Sequence, residues 1–148
     1  MKKILIINGP NLNLLGNRER NLYGETTLEK IELLCVQHCK EKGVVCKFFQ
    51  SNHEGELIEK IHSVEKDFDG IIINPAAFTH TSIALLDALR ATSKPKLEIH
   101  ISNIYAREDY RRKSITSEAV DGVICGFGEN SYILAIDAIK KLIYSDNT

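Results

Sequence analysis

The feature that most constrains this chain is alternation: short apolar runs and stretches with apolar residues at helical spacing succeed one another along all 148 residues. Strand-like segments fall at 3–8, 44–50 and 71–74, in a stretch opened by Pro95 that carries Leu97, Ile99 and Ile101, and at 122–125. Helical spacing marks 26–42, 54–66, 81–92 and 130–144. Strands separated by helices pair in parallel, because each connection must cross back over the sheet, and the helices then cover its faces. The pattern predicts a single α/β domain over 1–148, a five-stranded parallel sheet with helices on both faces. The first, third and fifth strands are nearly continuous apolar runs, as burial on two sides requires.

Local chemistry sharpens several boundaries. Thr26 and Glu29 have the spacing of a capping box, Leu28, Ile31, Leu34 and Cys35 form the stripe behind it, and Gly43 suits the stop. Leu57, Ile58, Ile61 and Val64 mark the second helix, and Ile133, Ile136, Ile139, Leu142 and Ile143 the last. Cys35, Cys39, Cys46 and Cys125 lack metal-ligand spacing beyond one i,i+4 pair on an apolar face, so they read as reduced core thiols with no metal. Met1-Lys2-Lys3 precedes an apolar run too short for a signal peptide, ended by Asn8-Gly9-Pro10-Asn11. No run approaches bilayer-crossing length, and a net charge of −1 argues against nucleic acid as a partner. We expect a cytoplasmic protein acting on a small molecule.

The chemistry concentrates at strand ends. In Leu97-Glu98-Ile99-His100-Ile101-Ser102-Asn103, alternation puts Glu98 and His100 together on one face, opposite Leu97, Ile99 and Ile101. A carboxylate beside an imidazole orients the ring and supports its protonated form, which proton transfer uses. Arg107, Arg111 and Arg112 follow directly and suggest an anionic ligand. In open parallel sheets ligands bind at the carboxyl ends of strands, which here carry Asn8 to Asn11, Gln50 to His53, Asn74-Pro75, His100 to Asn103 and Gly126 to Gly128. Asn52 also fits a helix cap, and Asn74 before Pro75 fits a turn. Two long connections, 9–25 and 103–121, mark functional or mobile loops. Walker and dinucleotide glycine patterns are absent, as are the acidic residues of a receiver domain and the Ser/Thr/Gly-rich phosphate loop of a flavodoxin.

Several long motifs together resemble a known family. Asn8-Gly9-Pro10-Asn11-Leu12-Asn13-Leu14-Leu15-Gly16 with Arg18 and Tyr23-Gly24 is similar to the opening signature of type II 3-dehydroquinate dehydratases. The resemblance continues through Gln50-Ser51-Asn52-His53-Glu54-Gly55, Asn74-Pro75-Ala76-Ala77-Phe78-Thr79-His80-Thr81-Ser82, Glu98 to Asn103, Arg107-Glu108, Arg111-Arg112 and Ser114. It implies a flavodoxin-like three-layer sandwich and the anti elimination of water from 3-dehydroquinate through an enolate, with no cofactor and no metal. By the same resemblance Tyr23 is the base, His100 the acid and Glu98 its partner, while Arg18 and Arg107 shape the field and Asn11 steadies the enolate. A phenol titrates near ~10, so the base needs a nearby cation such as Arg18. Asn74, His80, Arg111 and the Ile101-Ser102 amides resemble the family's substrate ligands, and Asp87 its contribution to a neighbouring subunit's site. The implied assembly is a homododecamer, a tetramer of trimers, with a lid over about 16–25.

Some readings stay open on sequence alone. Arg107 can instead pair with Glu108 or Asp109, Arg112 is by default a solvated charge, and Asp87 suits an exposed helix face. Lys96, on the Glu98/His100 face, is the one candidate for Schiff-base chemistry. A binding module that uses the arginines for an anion is the non-enzymatic alternative.

Overall fold

The computed structural model of the protein describes residues 1–17 and 26–145. Five parallel strands, β1 (Lys3–Asn8), β2 (Val45–Gln50), β3 (Gly70–Asn74), β4 (Lys96–His100) and β5 (Gly122–Cys125), lie in the order β2-β1-β3-β4-β5. Among the described residues six helices accompany them: α1 (Leu28–Glu41), α2 (Glu54–His62), α3 (Val64–Asp67), α4 (Ile83–Arg90), α5 (Asp109–Arg112) and α6 (Asn130–Ser145). This is the expected α/β architecture.

The pleat sorts the sheet's side chains into two cores. Ile4, Ile6, Ile72, Leu97 and Ile99 pack against α1 and α6, whereas Leu5, Ile7, Ile71 and Ile73 pack against α2, α3 and α4. Register aligns Asn8 with Gln50 on one side and Asn74 on the other, so three amide side chains form a row at the carboxyl edge. Strand order reverses between β1 and β3, which places a crevice at that edge. Gly9 is required there: a Cβ would lie 2.4 Å from the Pro75 carbonyl oxygen.

Four sequence expectations are corrected. The α1 cap is Thr27, whose side chain accepts from the Lys30 N–H, while Thr26 Oγ1 donates to Glu129 instead, so no Thr26/Glu29 capping box forms. On α1, Leu34 is exposed and Cys39 takes the inner position, and on α6 the buried stripe runs through Tyr132, Ala135, Ile136, Ile139 and Ile143, leaving Ile133 and Leu142 half-buried. Helix 54–66 breaks at Ser63, whose hydroxyl donates to the Lys60 carbonyl at 2.6 Å and competes with the helical ladder. The fifth strand is a half-exposed edge, with Val123 outward, because apolar content alone cannot distinguish an edge from a centre.

Smaller differences follow from the same physics. The 81–92 helix is α4, shortened because Ser82 caps it by accepting from the Leu85 N–H. Connection 103–121 is built from short helical turns, Ile104–Ala106, α5 and Thr116–Ala119, rather than open loop. All four cysteines are free thiols; Cys35 and Cys39 are buried, while Cys46 and Cys125 are only half-buried.

Candidate active site

At the ends of β1 and β3 the two buried asparagines meet the Tyr132 phenol of α6. Tyr132 donates to Asn8 Oδ1 at 2.6 Å and accepts from Asn74 Nδ2 at 3.1 Å, while Asn74 Oδ1 accepts the Ala76 N–H at 3.2 Å. Burial pushes the Tyr132 phenol above its ordinary range, so it stays a neutral donor. This network fixes the turn after β3, where Ala76 has a positive φ of 54°. The Gly9-Pro10-Asn11 turn is fixed from the β2 side. Gln50 Nε2 donates to the Gly9 carbonyl at 3.2 Å, and Asn52 Oδ1 accepts from both Gln50 and the Asn11 N–H. Asn52 is therefore a brace for Asn11, not a cap; His53 occupies the N-cap position of α2, with no side-chain cap hydrogen bond. Asn11 itself sits at φ 70°, a left-handed conformation that asparagine tolerates better than most side chains.

The third wall is β4. Glu98 is fully buried and accepts from His100 Nε2 at 2.9 Å, from Ser114 Oγ at 2.8 Å and from Thr116 Oγ1. Three donors converge on one carboxylate in a dry site and use its acceptor capacity. With Nε2 bound to Glu98, His100 keeps Nδ1 for chemistry. On the wall after β3, His80 Nδ1 lies 2.7 Å from the Lys113 carbonyl; a carbonyl only accepts, so Nδ1 carries the proton.

Cations close the remaining side. Arg107 is largely buried, and Glu108 lies between it and Arg111, with N···O separations of 3.8 Å and 3.1 Å. The Glu108 carboxyl is held below its ordinary range by its own backbone N–H and by the two arginines, against a partial desolvation. Arg112 turns away: it pairs with Asp109 at 3.1 Å, and its Nε donates to the Arg107 carbonyl at 2.9 Å. Asn11, Asn74, His80 and His100 line one cavity, and Ile101, Ser102, Arg107 and Arg111 complete its wall.

This arrangement can be set beside known proteins. The family model Dehydroquinase class II matches residues 2–140. The chain belongs to the class II dehydroquinase family. A 3-dehydroquinate dehydratase from Clostridium botulinum (strain Hall) is 55% identical over 139 residues, 94% of this chain and 95% of that one. Another from Thermoanaerobacter pseudethanolicus is 52% identical over 142 residues, 96% of each. The crystal structure of a type II dehydroquinase from Butyrivibrio crossotus superposes with a TM-score of 0.92 at 46% identity, covering 94% of this chain and 97% of that one.

For a dehydroquinase-family chain, the remaining expected site residues divide clearly. Glu98 stands behind His100 rather than in the cavity wall, and Asp87 is exposed on α4, outside the cavity of its own chain. Arg18, Tyr23 and most of the 16–25 segment lie outside the described residues. Lys96 is at the amino end of β4, its Nζ donating to the Thr92 and Lys94 carbonyls, on the edge opposite the cavity. Among the described residues no three His, Cys, Asp or Glu side chains form a metal-ligand set, and no helix is long and apolar enough to cross a membrane. Sequence reasoning missed Tyr132 and Thr116 as site-building residues. The only signal for Tyr132 was a phenol in an apolar helix stripe, and nothing in spacing ties Thr116 to a carboxylate 18 residues earlier.

Proposed function

We propose that this chain is a 3-dehydroquinate dehydratase, a hydro-lyase that converts 3-dehydroquinate to 3-dehydroshikimate by anti elimination of water. Family membership and near-full-length relatives of that name support the reaction. The observation that carries the mechanism is the buried Glu98–His100 pair with its imidazole in the wall of a cavity flanked by Arg107 and Arg111.

The steps follow from where charge moves. Tyr23, as phenolate with Arg18 as counter-cation, removes the proton alpha to the ketone, and the electron pair becomes an enolate. Asn11, held by Asn52, stabilises the oxyanion directly or through a water. The enolate then re-forms the ketone and expels the C1 hydroxyl, which leaves as water with the proton that His100 delivers. Glu98 keeps the imidazolium oriented during that transfer. Arg111, Asn74 and His80 hold substrate hydroxyls, and the Ile101-Ser102 amides with the Ser102 hydroxyl hold the carboxylate. No organic cofactor or metal enters these steps. In this reading the protein is a cytoplasmic enzyme of the shikimate pathway, with quinate breakdown as the alternative role, assembled as a homododecamer, a tetramer of trimers, in which Asp87 reaches a neighbouring site.

The test is ultraviolet absorbance: purified chain mixed with 3-dehydroquinate should generate the conjugated enone of dehydroshikimate without added metal. No enone at any protein concentration overturns the reading. A borohydride-trapped adduct would assign the chemistry to a lysine instead.

A further inference from the structure

One short stretch, 113–116, touches one imidazole of the cavity and the carboxylate that holds the other, without lining the cavity itself. The Lys113 carbonyl accepts from His80 Nδ1 at 2.7 Å, and the Ser114 and Thr116 hydroxyls donate to the two oxygens of Glu98, which holds His100. The donor directions are fixed. An ionised carboxylate only accepts, and Ser114 Oγ uses a lone pair for the Ser117 N–H at 3.0 Å, which turns its proton toward Glu98. The stretch is itself anchored: the Ile115 N–H donates to the Thr79 carbonyl at 2.8 Å, and Ser117 Oγ donates to the Ser114 carbonyl at 3.0 Å. Thr116 and Glu98 are both fully buried, so neither can find water if the other is lost.

We infer that residues 113–116 form a positioning strap that sets the opposite tautomeric roles of the two histidines. His100 is held by Nε2 and presents Nδ1, while His80 is held by Nδ1 and presents Nε2. Ser114 and Thr116 act through Glu98: by occupying its two oxygens they fix the carboxylate that holds His100 Nε2, and so fix the ring with Nδ1 toward the cavity. The consequence for turnover rests on the dehydratase reading above. The consequence for the rings does not.

The experiment therefore measures both. Thr116→Val removes one donor at constant shape, Thr116→Ser restores it, and Ser114→Ala removes the other at a half-buried position that tolerates the change. Kinetics should show kcat falling about tenfold in Thr116→Val, the cost of one hydrogen bond to a buried charge, with KM within about twofold. Ser114→Ala falls less, the double variant more, and Thr116→Ser recovers most of the loss. Proton–nitrogen spectra in water should show a protected Nε2–H signal for His100 in the parent, shifted or lost in Thr116→Val and retained in Thr116→Ser. The strap is overturned if the double variant, or Ser114→Ala alone should Thr116→Val fail to fold, keeps both kcat and the Nε2–H signal. A parent that lacks dehydratase activity, yet loses the signal on Thr116→Val, overturns the functional reading and leaves the strap standing.

Discussion

Two carboxylates in this protein are held by nearly the same donors and have opposite fates. Glu98 accepts from the hydroxyls of Ser114 and Thr116; Glu65 accepts from those of Thr92 and Ser93, each at 2.6 Å, and from the Ser93 N–H at 2.9 Å. Glu65 stands in solvent on α3 and ties that helix to the turn before β4, at the edge opposite the cavity. Glu98 is fully buried two residues from a histidine on the same strand face. Hydroxyl pairs stabilise a carboxylate in either place. Burial then makes the charge consequential, because a dry carboxylate must be matched by a proton-bearing partner, and the imidazole supplies it. What separates a fastening from a catalytic pair is the surroundings, not the donor set.

The largest effect should come from removing the imidazole. His100→Ala is expected to lower kcat by about 10²- to 10⁴-fold, the usual worth of a positioned general acid, with substrate still bound. Tyr23→Phe should be comparable, since base and acid act in one elimination. Glu98→Gln should lower kcat in the same direction by less, because the amide still orients the ring but no longer supports its charge. Steady-state kinetics on the three variants decide this. Glu98→Gln with unaltered kcat would reduce Glu98 to a second Glu65.

A third polar cluster separates burial from chemistry. Asn8, Tyr132 and Asn74 are as buried as Glu98 and partner one another, but they carry no charge at neutral pH. Tyr132→Phe leaves two buried amides short of a partner and should cost about 1–3 kcal/mol of stability, read from urea midpoints, with kcat falling less than in Glu98→Gln. The phenol is raised in the folded state, so its contribution is whole below the ordinary value of about 10 and fades as pH climbs above it. The deficit of Tyr132→Phe should accordingly narrow in alkaline urea titrations. A deficit constant across that range would show that burial does not raise the phenol in the folded state.

How much of this was legible in the sequence depends on the range of the interaction. The strands were, because alternation and apolar runs are local consequences of burial. Glu98 and His100 were placed on one face because a strand has period two. Thr116 and Tyr132 were not, since a hydroxyl meeting a carboxylate or an amide across the fold leaves no mark on spacing. Asn52 shows the intermediate case: its type predicted a local cap, and the Gly9-Pro10-Asn11 turn claimed it instead. The family resemblance supplied roles for the cavity residues but not their supports, which are the part the geometry adds.

The smallest effect tests the comparison from the solvent side. The Ser93 and Thr92 hydroxyls and the Ser93 N–H hold the Glu65 carboxyl down to about 2, from an ordinary value of 4.5. A carboxyl lowered in the folded state contributes stability that is present above about 4.5 and lost as pH falls through about 2. Glu65→Gln should therefore unfold at slightly lower urea than the parent at neutral pH, and the two should converge by about pH 2. Screening at this exposed site keeps the neutral-pH difference small, and added salt should shrink it further. Turnover should not change, since Glu65 bonds only to the turn before β4, at the edge opposite the cavity. If kcat fell as far as in Glu98→Gln, the two carboxylates would not be distinguished by their surroundings, and the role assigned to burial beside His100 would have to be abandoned.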